Sequence, residues 1–298
     1  MAKSNGPDVI LGGPGSDTIN GGGGADFIEG GVGNDLLSGG GGADTFIWNP
    51  GGGSDIIDGG GGSDTLQFNA ANAAELITIV ESDGHALLAR DVAGVVMDLD
   101  NVEQLNFGGA GGGADNFFFG DLSSTDLRSI DVDLGQADAA IDSVVTTGSA
   151  RSDRVEISGT GGAAAVDGLS ARVGVDHAEA SDRLVVSTLD GDDILDASEF
   201  DGGLDLTLWG GNGADRFVFG SSTGASIQVL DFQAHTYADA GDAIALHAFP
   251  DHDFASAIDH GHIAQTGADV VISDDAGVIV TLRNTLLSDL GATDFLFG

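Results

Sequence analysis

The 298-residue chain has no cysteine, four prolines and a single lysine, Lys3. Without cysteine there is no disulfide framework, no thiolate metal site and no thiol nucleophile. Nine basic residues in all, scattered along the chain, exclude nucleic acid as a partner, because phosphate binding needs clustered Lys and Arg. No stretch approaches the roughly 20 consecutive apolar residues of a spanning helix. The start, Met1-Ala2-Lys3-Ser4-Asn5-Gly6, holds no apolar signal-peptide core, so an export address is expected elsewhere. Neither a His-Glu-x-x-His helix nor a Gly-x-Ser-x-Gly elbow is found, and a non-enzymatic chain without a separate catalytic domain is expected.

What the chain does have is acid and glycine. There are 48 Asp and Glu against the nine bases, a formal charge of −39, with 51 glycines and 41% hydrophobic residues. An acidic disordered tail is poorer in apolar side chains, so a folded chain whose natural partners are cations is expected.

The glycines are phased. From Gly12 the sequence repeats every nine residues, as in Gly21-Gly22-Gly23-Gly24-Ala25-Asp26-Phe27-Ile28-Glu29 and Gly30-Gly31-Val32-Gly33-Asn34-Asp35-Leu36-Leu37-Ser38. The aspartates fall at 8, 17, 26, 35, 44, 55 and 64, with one step of eleven where Trp48 and Asn49 are inserted. Two residues after each comes an apolar side chain: Ile10, Ile19, Ile28, Leu37, Phe46, Ile57 and Leu66. A strand alternates faces with period two, so this residue points inward between outward neighbours. A helix needs a 3.6-residue period and is opposed by so much glycine. Each unit is expected to be a six-residue turn and a three-residue strand, two units making one coil of a parallel solenoid.

A flexible glycine linker would not keep this phase. The Gly21–Gly24 run superficially resembles a dinucleotide fingerprint, but no amphipathic helix follows it. Tight glycine turns aim backbone carbonyls at one point, and with one Asp per turn they make an oxygen-only environment. That donor set suits Ca²⁺ with its six to eight oxygens better than Zn²⁺ or copper, and better than the stricter octahedron of Mg²⁺.

These residues resemble the RTX family of hemolysin-type calcium-binding repeats, Gly-Gly-x-Gly-x-Asp-x-apolar-x. The resemblance implies an all-β, right-handed parallel β-roll or β-solenoid in which each Ca²⁺ lies between turns on one edge of successive coils. Asp17 would then share an ion with the turn of Asp35, and Asp26 with that of Asp44. Asp55 and Asp64 would extend the series, and the turns ending in Asp115, Asp193 and Asp215 would be later echoes. The carbonyl ligands implied are those of Gly12, Gly13 and Gly15 and their equivalents Gly21, Gly22, Gly24, Gly30, Gly31, Gly33, Gly39, Gly40, Gly42, Gly59, Gly60, Gly62, Gly210, Gly211 and Gly213. Pro50 replaces the first glycine before Asp55, which sets that turn apart.

Beyond residue 69 the pattern loosens. Leu76–Val80, His85–Arg90 and Val95–Leu99, with Asp83-Gly84 and Ala93-Gly94 between them, predict an antiparallel β insert over 70–107. Gly111-Gly112-Gly113-Ala114-Asp115 is one more repeat-like turn. An irregular solenoid over 108–220 follows, in which Asp-x-apolar recurs, often at multiples of eleven. At Asp142, Asp153 and Asp182 a turn-capping aspartate competes with a calcium ligand. Residues 221–298 resemble the C-terminal cap of RTX proteins, which carries a type I secretion signal; an ordinary capping strand fits too. That resemblance implies a secreted or cell-surface location and a type I secretion apparatus as partner.

Four late histidines, His247, His252, His260 and His262, stand near several aspartates. His260-x-His262 on a strand would put both rings on one face as a Zn²⁺ pair, though spacing fixes no third ligand. Two functional classes remain open: a calcium-folded structural or surface protein, with open strand edges through which it could self-associate, and an accessory module that holds an acidic polysaccharide beside an exported enzyme.

Overall fold

The computed structural model describes residues 5–109, 112–221, 224–236 and 240–298; Lys3 and Gly111 lie outside the described residues. The chain forms two compact units, residues 1–143 with 170–177, and residues 144–169 with 178–298.

In the first unit, alternate nonapeptides feed opposite sheets. Val9–Pro14, Phe27–Val32, Thr45–Trp48, Thr65–Asn69, Gln104–Gly108, Ser129–Asp133 and Arg172–Asp176 pair in that order, all in parallel. Thr18–Gly23, Leu36–Gly41 and Ile56–Gly61 pair in parallel in the other sheet. A coil is therefore two repeats long, and Val9 lies opposite Phe27. After the Trp48-Asn49 insertion the offset grows by two, so that Leu36 faces Ile56.

The strands are longer than three residues. Pairing runs on through the glycines, with Gly22 opposite Gly40 and Gly23 opposite Gly41. Lacking Cβ atoms, the glycine segments approach at ladder distance and bond their backbones before the chain turns.

The inward residue of each repeat is buried as its phase predicts: Ile10, Ile19, Ile28, Leu37, Phe46, Ile57 and Leu66 form one apolar stack. An aromatic column continues it. Trp48 stacks on Phe68 at 4.2 Å, Phe68 meets Phe107 at 5.5 Å, and Phe107 reaches across to Phe117 of the opposite sheet at 5.2 Å. Each such side chain, removed from water, stabilises the fold by about 1.5–3 kcal/mol.

The antiparallel insert is part of the sheet. Leu76–Ser82, His85–Arg90 and Val95–Asp100 pair antiparallel, turning at Asp83 (φ 54°) and Gly84 (φ 90°). Its outer strands join the roll in parallel, Val95–Asp100 to Ile56–Gly61 and Leu76–Ser82 to Asn116–Phe119.

In the second unit one sheet runs Ala163–Asp167, Arg154–Thr160, Ile194–Asp201, Arg216–Phe219, Ala243–Leu246 and Phe295–Phe297, parallel except for its first pair. The other includes Arg183–Ser187, Asp205–Trp209 and Ser226–Val229 in parallel. It ends in the antiparallel strands Val278–Leu282, Asp269–Ser273 and Ile263–Thr266. Among the described residues the one α-helix is Phe254–Asp259, and no helix is long and apolar enough to cross a membrane.

Candidate metal centre

The repeat aspartates stand just before their strands, at the edge of each sheet, and are stacked by the coil period. One carboxylate oxygen of each joins neighbouring coils. Oδ1 of Asp26 accepts the backbone N–H of Asp8, Asp44 that of Asp26, and Asp64 that of Asp44, at 2.8, 2.7 and 2.7 Å. On the other edge Asp35 accepts from Asp17 at 2.8 Å and Asp55 from Asp35 at 2.9 Å.

The second oxygen does something different. Oδ2 of Asp17, Asp26, Asp35, Asp44, Asp64, Asp115, Asp193 and Asp215 is buried with no hydrogen-bond partner. A buried polar atom without a partner costs about 1–3 kcal/mol, and more when charged. Eight of them at one repeat position call for a common ligand.

The glycines make room for these oxygens. A Cβ on Gly21, Gly30, Gly39 or Gly210 would overlap Oδ2 of Asp26, Asp35, Asp44 or Asp215, and on Gly12 or Gly59 it would lie 2.8 Å from Oδ2 of Asp17 or Asp64. Carbonyls of the next coil crowd the same space: Gly39 O would be 2.7 Å from a Cβ on Gly21, Gly59 O 2.7 Å from one on Gly39, and Gly30 O would overlap one on Gly12. The second and fourth glycines, Gly13, Gly15, Gly22, Gly24, Gly31, Gly33, Gly40, Gly42, Gly60, Gly62, Gly211 and Gly213, all have φ between 92° and 150°. That region turns the backbone so that its carbonyls line the edge, and it favours glycine. The donors in each cradle are thus carboxylate and carbonyl oxygens alone, a set that fits Ca²⁺ and offers nothing to a softer metal.

Electrostatics agrees. Burial, and then the neighbouring carboxylates, outweigh the N–H bonds and push Asp55 and Asp64 up to about 6 and Asp115 and Asp215 up to about 7. Burial also raises Asp44 and Asp193. Without a cation these groups resist ionisation; a divalent ion restores it.

The turn before Asp55 is the exception among the full set. Pairing between Phe27–Val32 and Thr45–Trp48 stops at Glu29 and Ile47, and the extra residues let Trp48 Nε1 donate to Gly53 O at 3.0 Å. Asp55 keeps its bond to Asp35, but its Oδ2 is not among the unpartnered oxygens.

Two carboxylates escaped the sequence pattern. Glu103 takes the next place after Asp64 and accepts its N–H at 2.7 Å. Glu75 takes the place before Asp115, donating its N–H to Asp115 Oδ1 at 2.8 Å, and its own Oε2 is buried without a partner. Oε1 of Glu75 is occupied by the buried guanidinium of Arg90, which also lies 5.3 Å over the Trp48 ring. Neither glutamate follows a glycine turn, and only the ladder reveals them.

In the second unit the ladder is Asp153, Asp193, Asp215 and Asp242, joined N–H to Oδ1 at 2.7, 3.0 and 2.9 Å. Its ends are closed by protein. Asp153 Oδ2 accepts the Ser149 N–H at 2.8 Å and Asp242 Oδ2 that of Gln233 at 2.7 Å. Asp182 likewise caps its own turn through the Glu179 N–H at 2.6 Å; in the first unit, Asp142 accepts the Asp115 N–H at 2.8 Å.

The family model of the RTX calcium-binding nonapeptide repeat matches the chain in four copies, at residues 4–37, 11–46, 51–69 and 207–222. No curated protein matches the chain. Among solved structures, the extracellular lipase LipA from Serratia marcescens is similar at 17% identity and a TM-score of 0.26. The likeness covers 99% of this chain and only 39% of the lipase.

Proposed function

We propose that this chain, which carries RTX calcium-binding repeats, is a secreted structural or cell-surface protein that folds as its carboxylate ladders take up Ca²⁺. The observation that carries the reading is the set of eight buried, unpartnered Asp Oδ2 atoms, six of them facing a glycine of their own turn. In this reading Asp17, Asp26, Asp35, Asp44, Asp64, Asp115, Asp193 and Asp215 are ligands, with carbonyls of their glycine turns, and Asp55 is a weaker one. Without Ca²⁺, stacked carboxylates repel and the glycine turns carry a large conformational entropy, so the chain is unfolded where calcium is scarce and folds once outside the cell. Residues 221–298 serve as cap and secretion signal.

The charge arrangement favours a structural role over an acidic-polysaccharide module. Such a module needs a basic track, and three of the eight arginines are held on acids: Arg90 on Glu75, Arg172 on Asp131 at 2.8 Å and Arg283 on Asp269 at 2.7 Å. Val9–Pro14 and Thr18–Gly23 are edge strands among the described residues, and Val9 and Leu11 are exposed on one of them, a surface suited to self-association.

Circular dichroism in excess chelator and then in millimolar Ca²⁺ tests the core of this reading. A β signal that rises on adding Ca²⁺ supports it, and one already present in chelator at neutral pH refutes it. Light scattering in Ca²⁺ separates an assembling protein from a monomer.

A further inference from the structure

Outside the ladders, Asp251, His260 and His262 bring one ligand atom each to within 4.8 Å of one another. Asp251 lies in the loop after strand Ala243–Leu246. The helix Phe254–Asp259 then runs out to His260, which has helical dihedrals (φ −83°, ψ −11°). Gly261, at φ 81°, reverses the backbone, and His262 directly precedes strand Ile263–Thr266. The two rings are therefore brought together by a helix end and a glycine turn, and not by the alternation of a strand. Their centroids are 6.1 Å apart.

Both rings present Nδ1 to the same carboxylate, His260 to Oδ1 at 2.5 Å and His262 to Oδ2 at 2.6 Å. Asp251 is 4% exposed at its side chain, and His262 is held at 17% with Phe249 edge-on at 5.8 Å. The His260 ring is 64% exposed, which leaves the cluster open to solvent on one side. Asp275 stands 3.5 Å from Nε2 of His262, where a second carboxylate orients a ligating imidazole.

We propose that Asp251, His260 and His262 form a binding site for one Zn²⁺ ion, separate in place and chemistry from the calcium ladders. Two imidazole nitrogens and one carboxylate oxygen are a borderline donor set that Zn²⁺ takes readily and Ca²⁺ does not. Bonds of about 2.0–2.2 Å in a tetrahedron put ligand atoms about 3.3–3.5 Å apart, so the two carboxylate–imidazole contacts, 2.5 and 2.6 Å, open by about 1 Å or less on binding. Three protein ligands leave a fourth position, on the exposed side, for water or an incoming ligand. The proposal does not depend on the calcium reading, because none of its three residues belongs to a ladder.

The test is a titration of the full chain in Ca²⁺-containing, chelator-free buffer with Zn²⁺, by calorimetry and by competition with a chromophoric zinc chelator. One equivalent of Zn²⁺ is expected, and His260→Ala, whose exposed ring contributes little to packing, is expected to weaken it at least about tenfold while the dichroism spectrum is unchanged. Co²⁺ in place of Zn²⁺ should give visible d–d bands in the native chain and none in His260→Ala/His262→Ala. Absence of stoichiometric Zn²⁺ binding, or affinity unchanged by His260→Ala, overturns the proposal.

Discussion

The backbone N–H of Asp26 donates to Oδ1 of Asp44, 2.7 Å away in the next coil, while Oδ2 of the same Asp44 is buried without a partner. One side chain thus serves two masters, the backbone of its neighbour and an ion. Asp44→Ala removes both. It is expected to shift the Ca²⁺ midpoint of folding upward and to cost on the order of 1–3 kcal/mol for the orphaned Asp26 N–H alone. Asp182→Ala, which removes a local turn cap, is expected to leave the Ca²⁺ midpoint within about twofold, since a lost cap costs about 1 kcal/mol without touching an ion site. A calcium titration followed by dichroism compares them, and equal midpoint shifts would sink the distinction.

Glycine position matters within a single turn. Gly39→Ala puts a methyl against Asp44 Oδ2 and Gly59 O and is expected to cost about 1–3 kcal/mol and to weaken Ca²⁺ binding. Two residues on, Gly41 has open space around its Cβ direction and no positive φ, so Gly41→Ala is expected to stay within about 0.5 kcal/mol of the parent. Denaturant unfolding in saturating Ca²⁺ reads both.

Acid should replace calcium in part. The metal-free folded chain holds Asp115 and Asp215 near 7 and Asp55 and Asp64 near 6, above the value of 3.8 for a free carboxyl. Folded pKa values above unfolded ones mean that the folded form binds more protons, so their contribution is complete below about 4 and is lost as pH rises through 6 to 7. In chelator, β structure is expected to increase as pH is lowered from 8 to 5. Over the same range the Ca²⁺ midpoint of folding should fall, because protons stabilise the folded carboxylates that Ca²⁺ otherwise must hold. A midpoint independent of pH would contradict the burial assigned to these groups.

Much of this was legible in the sequence, and the limits are instructive. A nine-residue period carries both the strand alternation and the place of the carboxylate, so the buried stack Ile10 to Leu66 and five of the unpartnered aspartate oxygens follow from counting, while Asp115 and Asp215 stand in isolated glycine motifs and Asp193 in a partial one. Glu75 and Glu103 were invisible because the insert sets them 40 and 39 residues from their ladder partners and no glycine turn precedes them. The antiparallel pair Arg154–Thr160 and Ala163–Asp167 left no periodic mark either. Asp251 lies nine and eleven residues from the histidines it meets, a juxtaposition made by one helix end and one turn.

The two tryptophans provide a built-in reporter. Trp48 is buried at 1% exposure and stacked on Phe68, whereas Trp209 is 47% exposed. The blue shift of fluorescence on adding Ca²⁺ is expected to vanish in Trp48→Phe and to persist in Trp209→Phe. Trp48→Ala, which empties the head of the aromatic column, is expected to cost about 3–5 kcal/mol.

In the Asp8, Asp26, Asp44 and Asp64 ladder the acceptor always lies C-terminal to its donor. The stack therefore has a polarity that a symmetric pile of coils would lack. Cutting away its C-terminal coil leaves an aspartate amide without its carboxylate acceptor in the coil before, while cutting away its N-terminal coil leaves a strand amide, such as that of Phe27, without the Asp carbonyl it bonds. Each coil is the template its predecessor needs, and Glu103, closing the series beneath Asp64, is the foundation stone of that column.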